Sequence, residues 1–235
     1  MTPNLPIPCL CLVTDRSFAG PGSLVSQVVR AVEGGVDMVQ LREKDLPGGQ
    51  LLTLGNALKD AIQGKALLVI NDRVDIAQIA GASGVQLGED GLPVASARAL
   101  LGQEYLIGRS VHTVAGAGLA ETQGADFLVA GTMYATRTHP GSAPAGPALV
   151  RQMSENCRLP IFGIGGITPE NVGTVIEAGA SGVAVISSIL ASDEPRIAAE
   201  ELKQALIEAV SGLDNRHMMT ETGRSRAPAG GNDQA

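Results

Sequence analysis

Pro160-Ile161-Phe162-Gly163-Ile164-Gly165-Gly166-Ile167-Thr168-Pro169-Glu170 runs as a short apolar strand into a glycine turn and then into a helix that opens on a proline. Pro169 suits the first helical turn, where its missing N–H would find no partner anyway. The helical pattern holds over residues 169–178, and Gly182-Val183-Ala184-Val185-Ile186-Ser187 resumes the strand pattern. A strand, a crossover helix and a second strand make a unit whose strands are parallel.

The same alternation extends towards the N-terminus. Apolar, β-rich runs fall at residues 9–14, 36–42, 66–71, 84–87, 105–110, 126–131, 160–165 and 182–187, which makes eight strands. Amphipathic stretches at 24–33, 51–63, 94–101, 145–156, 169–178 and 195–210 are long enough to cross between them. A weak repeat marks the joints: Glu33-Gly34-Gly35-Val36-Asp37, Ala80-Gly81-Ala82-Ser83-Gly84, Thr122-Gln123-Gly124-Ala125-Asp126 and Glu177-Ala178-Gly179-Ala180-Ser181 each join a helix to a strand. Glycine there closes the helix in the left-handed conformation. Eight βα units in 235 residues predict a single-domain (β/α)8 TIM barrel. Residues 1–8 read as an N-terminal arm and 9–210 as the catalytic barrel. From Ser211 onward the apolar periodicity stops and breakers gather, so 211–235 reads as a disordered tail.

Composition narrows the classes of function. With 17 basic and 24 acidic residues the net charge is -7, so no basic excess exists to neutralise a nucleic-acid backbone. Any phosphate must be met locally. No stretch approaches the ~20 apolar residues of a membrane span, and no export signal precedes the first strand. Cys9, Cys11 and Cys157 lack metal or disulfide spacing and read as buried thiols in a reducing cytoplasm. Oligomeric state is left open, a homo-oligomer being compatible with everything above.

Polar residues collect where the strands end, which in a barrel is the rim that carries chemistry. On the second strand Gln40, Arg42 and Lys44 share one side by alternation; they converge on an anion or leave as a solvated charge run. Asn71 and Asp72 end the third, either to orient a base edge and hold Mg2+ or to cap the helix starting near Val74. Gly88-Glu89-Asp90-Gly91 is an acidic turn that completes an oxygen site facing Asp72 or is only a turn. Ser110 and His112 end the fifth strand and offer a hydroxyl and an imidazole, although a lone histidine also serves in packing or capping. Glycines 163, 165 and 166, with Ile186 and Ser187 in the next unit, predict a phosphate site at the seventh and eighth strands.

Taken together, Val39-Gln40-Leu41-Arg42-Glu43-Lys44, Ile70-Asn71-Asp72, Gly108-Arg109-Ser110-Val111-His112-Thr113, Thr136-Arg137-Thr138, Gly163 to Thr168 and Val185-Ile186-Ser187 resemble the thiamine-phosphate synthase and thiazole tautomerase family. The resemblance spans residues 9–208, in order and on successive strands. It implies a transferase that joins 4-amino-2-methyl-5-pyrimidinylmethyl diphosphate to a thiazole phosphate, giving thiamine phosphate and pyrophosphate, with Mg2+ as cofactor. It further implies that Gln40, Arg42, Lys44 and Asn71 meet the pyrimidine diphosphate and that Asp72 meets Mg2+. Ser110 then belongs to the pyrimidine site, Thr136 and Thr138 to the thiazole phosphate region, and Gly166, Ile186 and Ser187 to the thiazole phosphate itself.

Two departures from the family pattern stand out. Synthases carry Gly-Gln-Glu-Asp on the fourth loop; anchoring on Leu92-Pro93 puts Gly91 where the metal-binding Asp stands, with Asp90 one place early as the alternative metal ligand. A lysine that touches the diphosphate is replaced by His139. Both changes keep a second reading open, a metal-independent tautomerase in which His112 is the general acid or base, and a third is a non-catalytic thiazole-phosphate-binding protein.

Overall fold

The computed structural model describes residues 3–19, 22–136 and 143–224, with side chains described as far as residue 213. Eight parallel strands close on themselves in sequence order: β1 (Cys9–Val13), β2 (Met38–Leu41), β3 (Leu67–Asn71), β4 (Gly84–Leu87), β5 (Leu106–Val111), β6 (Phe127–Gly131), β7 (Ile161–Ile164) and β8 (Gly182–Val185). Pairing of β1 with β8, for example Leu10 opposite Val183, seals the barrel and leaves no sheet edge. All eight predicted strands are present.

The helices form the outer layer: α1 (Leu24–Glu33), α2 (Gly48–Ile62), α3 (Val74–Ile79), α4 (Val94–Leu101), α5 (Val114–Thr122), α6 (Pro147–Asn156), α7 (Val172–Glu177), α8 (Ser187–Leu190) and α9 (Pro195–Arg224). Strand side chains are buried on both faces, against the barrel interior and the helical layer, which is why the strands read as continuous apolar runs. Phe127 and Phe162 pack across β6 and β7 with ring centroids 5.3 Å apart. Cys9 and Cys11 are fully buried in β1, and burial pushes the Cys11 thiol up to about 12. Gly35 and Gly179 both hold φ of +102°, so the repeated helix-to-strand joint is built on left-handed glycine as expected.

The helix expected near Val74 is α3, which spans only Val74–Ile79, and α5, largely alanine and glycine, adds a helix with little amphipathic period to read. Two expectations change. α7 starts at Val172 and not at Pro169, because Thr168 to Asn171 form a turn in which the Asn171 and Val172 amides both donate to the Thr168 carbonyl. Finally, α9 runs on to Arg224, past the expected start of a tail at Ser211. Leu213, Met218, Met219 and Glu221 are good helix formers, and breakers become dense only from Gly223. Residues 225–235 lie outside the described residues. Among the described residues no helix is long and apolar enough to cross a membrane.

Candidate active site

The C-terminal ends of the strands open into a cavity of about 510 Å³ whose wall includes Gln40, Arg42, Lys44, Asn71, Asp72, Asp90, Ser110, His112, Thr136, Gly166, Ile186 and Ser187. Every predicted site residue within the described part of the chain is therefore in one place. Thr138 and His139 lie outside the described residues.

On one side, a chain of amides and a carboxylate runs from β2 to β4. Buried Gln40 donates from Nε2 to Asn71 Oδ1 (2.8 Å), and Asn71 Nδ2 donates to Asp72 Oδ2 (2.8 Å). The backbone N–H of Gly88 donates to Asp72 Oδ1 (2.7 Å). Asp72 is thus no helix cap: Arg73 occupies the cap position of α3, and the Asp72 side chain turns to the cavity instead. Its backbone sits at φ +59°, a left-handed conformation costly for a residue with a Cβ and one that aspartate tolerates better than most. Strain held at a strand end that points a carboxylate into a cavity suits a working group.

Arg42 is half-buried and Lys44 exposed, and strand alternation sets both towards the cavity as expected. Among the described residues neither cationic head has a hydrogen-bond or ion-pair partner. Glu43, between them, faces the other way. It is buried, its Oε2 lies 3.5 Å from the Arg16 guanidinium, and its Oε1 lacks a partner among the described residues. Burial, eased partly by bonds from Thr14 and Arg16, raises the Glu43 carboxyl above the usual glutamate range. A charge run that only left the strand would not separate its members in this way.

The opposite side carries the glycine loop. β3 and β7 lie four strands apart in a closed ring of eight, so Asp72 and Gly165-Gly166 face each other across the mouth. Gly165 and Gly166 have φ of +104° and +64°, and a Cβ on Gly166 would meet the Ala135 carbonyl oxygen at 2.6 Å. Only glycine fits there. Asn171 braces the loop, accepting from the Thr168 amide (2.9 Å) and donating to the Gly166 carbonyl (3.0 Å). Ser188 Oγ bonds the Ile167 carbonyl, which ties the loop to the start of α8 beside Ile186 and Ser187. Gly165, Gly166, Ile186 and Ser187 together line this side of the cavity.

Between the two sides, β4 contributes Gln86, which the sequence reading did not single out, and β5 carries Ser110 and leads to His112, both expected. Gln86 is buried and donates from Nε2 to Ser110 Oγ (3.1 Å), which leaves the serine proton free to point elsewhere. His112 Nδ1 lies 2.6 Å from Glu89 Oε2, so the imidazole is held by the acidic turn and is not a lone packed histidine. Their signal exists only in the register of β4 against β5, where Gln86 pairs with Gly108 and Leu87 with Arg109.

Whether the site suits a divalent cation depends on its oxygens. Among the described residues no group of three His, Cys, Asp or Glu side chains could enclose a metal. Asp72, Glu89 and Asp90 nevertheless border the same cavity as two unpartnered cations. Mg2+ is commonly held by one or two carboxylates, water and substrate phosphates, and this donor set fits such a shared ion. A Cβ on Gly91 would stand 2.6 Å from Asp72 Oδ1, so the missing side chain at position 91 is one that would have faced that carboxylate.

This arrangement has close counterparts. The thiamine-phosphate synthase of Haloquadratum walsbyi is 43% identical over 196 residues, covering 82% of this chain and 88% of that protein. That of Natronomonas pharaonis is 41% identical over 206 residues, covering 86% and 94%. The solved thiamine phosphate pyrophosphorylase of Pyrococcus furiosus superposes with a TM-score of 0.78 at 33% identity, over 86% of this chain and 96% of that one. Since the thiamine monophosphate synthase family model matches residues 10–189, which takes in all of the eight strands but the first residue of β1, and both sides of the mouth, the chain belongs to that family.

Proposed function

We propose that Arg42, Lys44, Gln40, Asn71 and Asp72, with Mg2+, handle the pyrimidinylmethyl diphosphate in this chain's thiamine-phosphate-forming condensation, while Gly166, Ile186 and Ser187 seat the thiazole phosphate. The observation that carries the reading is a pair of cations beside Asp72, without partners among the described residues, facing a glycine loop across one mouth. Two anion sites on opposite walls are what joining a diphosphate to a monophosphate requires. A metal-free tautomerase needs only one of them.

The reaction breaks the bond between the pyrimidine methylene and the diphosphate oxygen; the electron pair leaves with pyrophosphate. Arg42 and Lys44 stabilise charge as it concentrates on that leaving group, more than they stabilise the substrate in which it is spread. Asp72 would hold Mg2+, which would supply further neutralisation of the charge growing on the leaving group. The lone pair of the thiazole nitrogen then forms the C–N bond to the methylene carbon. Anchoring the thiazole by its phosphate on the far wall places that nitrogen in advance, and preplacement removes much of the entropic part of the barrier. Ser110, held by Gln86, is set to donate to the pyrimidine ring. Thr136 belongs to the thiazole phosphate wall in this reading. The free buried thiols of Cys9 and Cys11 suit a reducing cytoplasm.

The test is product analysis with both phosphorylated precursors, with and without Mg2+. Thiamine phosphate and pyrophosphate in equal amounts, formed only with Mg2+, is the expected result. Metal-independent isomerisation of a thiazole carboxylate phosphate, with no coupled product, would overturn the proposal.

A further inference from the structure

Arg109 lies on β5 outside the cavity wall, yet both ends of its guanidinium are engaged with the acidic turn after β4. One nitrogen donates to the Leu92 carbonyl (2.9 Å) and the other to the Glu89 carbonyl (2.7 Å). These acceptors bracket Asp90 and Gly91. The turn is itself closed by the Gly91 amide bonding the Gly88 carbonyl (2.9 Å), and the Gly88 amide holds Asp72. The β4 turn, the Asp72 carboxylate and the Arg109 fork therefore form one connected unit.

We infer that Arg109 is a positioning residue that fixes the β4 turn so that Asp90, and not residue 91, supplies the turn's carboxylate to the Mg2+-diphosphate site. The inference rests on the metal reading proposed above. Position 91 carries no side chain, and its Cβ direction is the one that meets Asp72 Oδ1, so the carboxylate belonging to this turn must come from its neighbour. Asp90 does border the cavity. Its placement depends on the path of the turn, and a two-pronged guanidinium pins that path at two points, the peptide plane just before Asp90 and the one that follows Leu92, which a lysine cannot do. Being a cation, Arg109 also lowers the cost of crowding Glu89, Asp90 and Asp72 at one edge of the mouth before any metal arrives.

The test compares parent, Arg109→Lys and Arg109→Met in two measurements: Mg2+ binding by calorimetry in the presence of inorganic pyrophosphate, and coupling rate against Mg2+ concentration. Arg109→Met should weaken Mg2+ binding about tenfold, the size of one lost charge-assisted contact, with turnover at saturating Mg2+ within about twofold of parent. The KM for thiazole phosphate should not move. Arg109→Lys, which keeps the charge and one prong, should fall between and also covers the case in which the methionine variant folds poorly. Unchanged Mg2+ affinity in either folded variant, even with a lower melting temperature, would overturn the inference while leaving the metal reading intact. A parent that binds no Mg2+ with pyrophosphate and couples without it would overturn both.

Discussion

The two rims of the barrel treat charge in opposite ways. At the N-terminal rim, Asp37 accepts from the Leu10 amide (2.7 Å) and from Lys203 (2.6 Å), and that lysine also reaches the Pro8 carbonyl. Asp126 likewise accepts from the Ile107 amide (2.6 Å) and from Arg98 (2.6 Å), and Arg98 extends to the carbonyls of Gly102, Tyr105 and Gly124. Charge there is neutralised by strand amides and neighbouring helices. At the C-terminal rim Arg42 and Lys44 have no partner among the described residues, and a strained aspartate points inward. The lower rim holds the strands in register; the upper one keeps its electrostatic free energy for a ligand.

That contrast breaks down if the two rims respond alike to mutation. The largest effect should come from below. Asp126→Ala strips Arg98 and the Ile107 amide of their shared acceptor and should cost about 2 to 4 kcal/mol, somewhat under the cost of breaking a fully buried pair because both side chains keep some solvent access. Denaturant melts should show it while turnover of the folded fraction holds. Next comes Arg42→Ala, which should lower kcat/KM for the diphosphate substrate about ten- to a hundredfold with almost no change in melting temperature. Reversal of the two outcomes, with Asp126 affecting turnover and Arg42 stability, would end the comparison.

A subtler effect is expected from Gly91→Asp. Gly91 is outside the left-handed region, so backbone strain does not forbid a side chain, but the new Cβ would crowd Asp72 Oδ1 at 2.6 Å. The metal-free variant should lose about 1 kcal/mol, and Mg2+ should raise its melting temperature more than it raises the parent's. Equal responses to Mg2+ would show that position 91 does not face the ion. The smallest effect concerns Glu43. Its carboxyl is raised in the fold by burial, so the folded state holds the proton more tightly than the unfolded chain does. Its contribution is therefore most favourable below the ordinary glutamate range and declines as pH rises through the elevated folded value. Glu43→Gln should flatten that decline by less than about 1 kcal/mol, read from urea midpoints between about pH 4 and pH 7. An unaltered slope would locate the pH dependence elsewhere.

Much of this is legible in the residues alone, and the limit is physical. The eight strands announce themselves because a parallel sheet buried on both faces must be continuously apolar, and the joints because left-handed backbone selects glycine. Gln40, Arg42 and Lys44 can be set on one wall from strand alternation without coordinates. Short α3 and alanine-rich α5 give no period to read. The Arg109 fork and the Gln86 bond to Ser110 depend on how β4 registers against β5, and register belongs to the pairing of strands and not to either one. Asp72 could be read as metal ligand or helix cap, and only its left-handed φ and its bond from the Gly88 amide exclude the cap.

The most direct measurement of the central claim is calorimetric binding of inorganic pyrophosphate, with and without Mg2+, to the parent and to the Arg42→Ala/Lys44→Ala double variant. Pyrophosphate should bind the parent only with Mg2+ and should bind the folded double variant at least a hundredfold more weakly, while affinity for the thiazole phosphate stays the same. Equal pyrophosphate affinity in the two proteins would contradict the account, because the unpartnered cations of the upper rim would then serve no diphosphate.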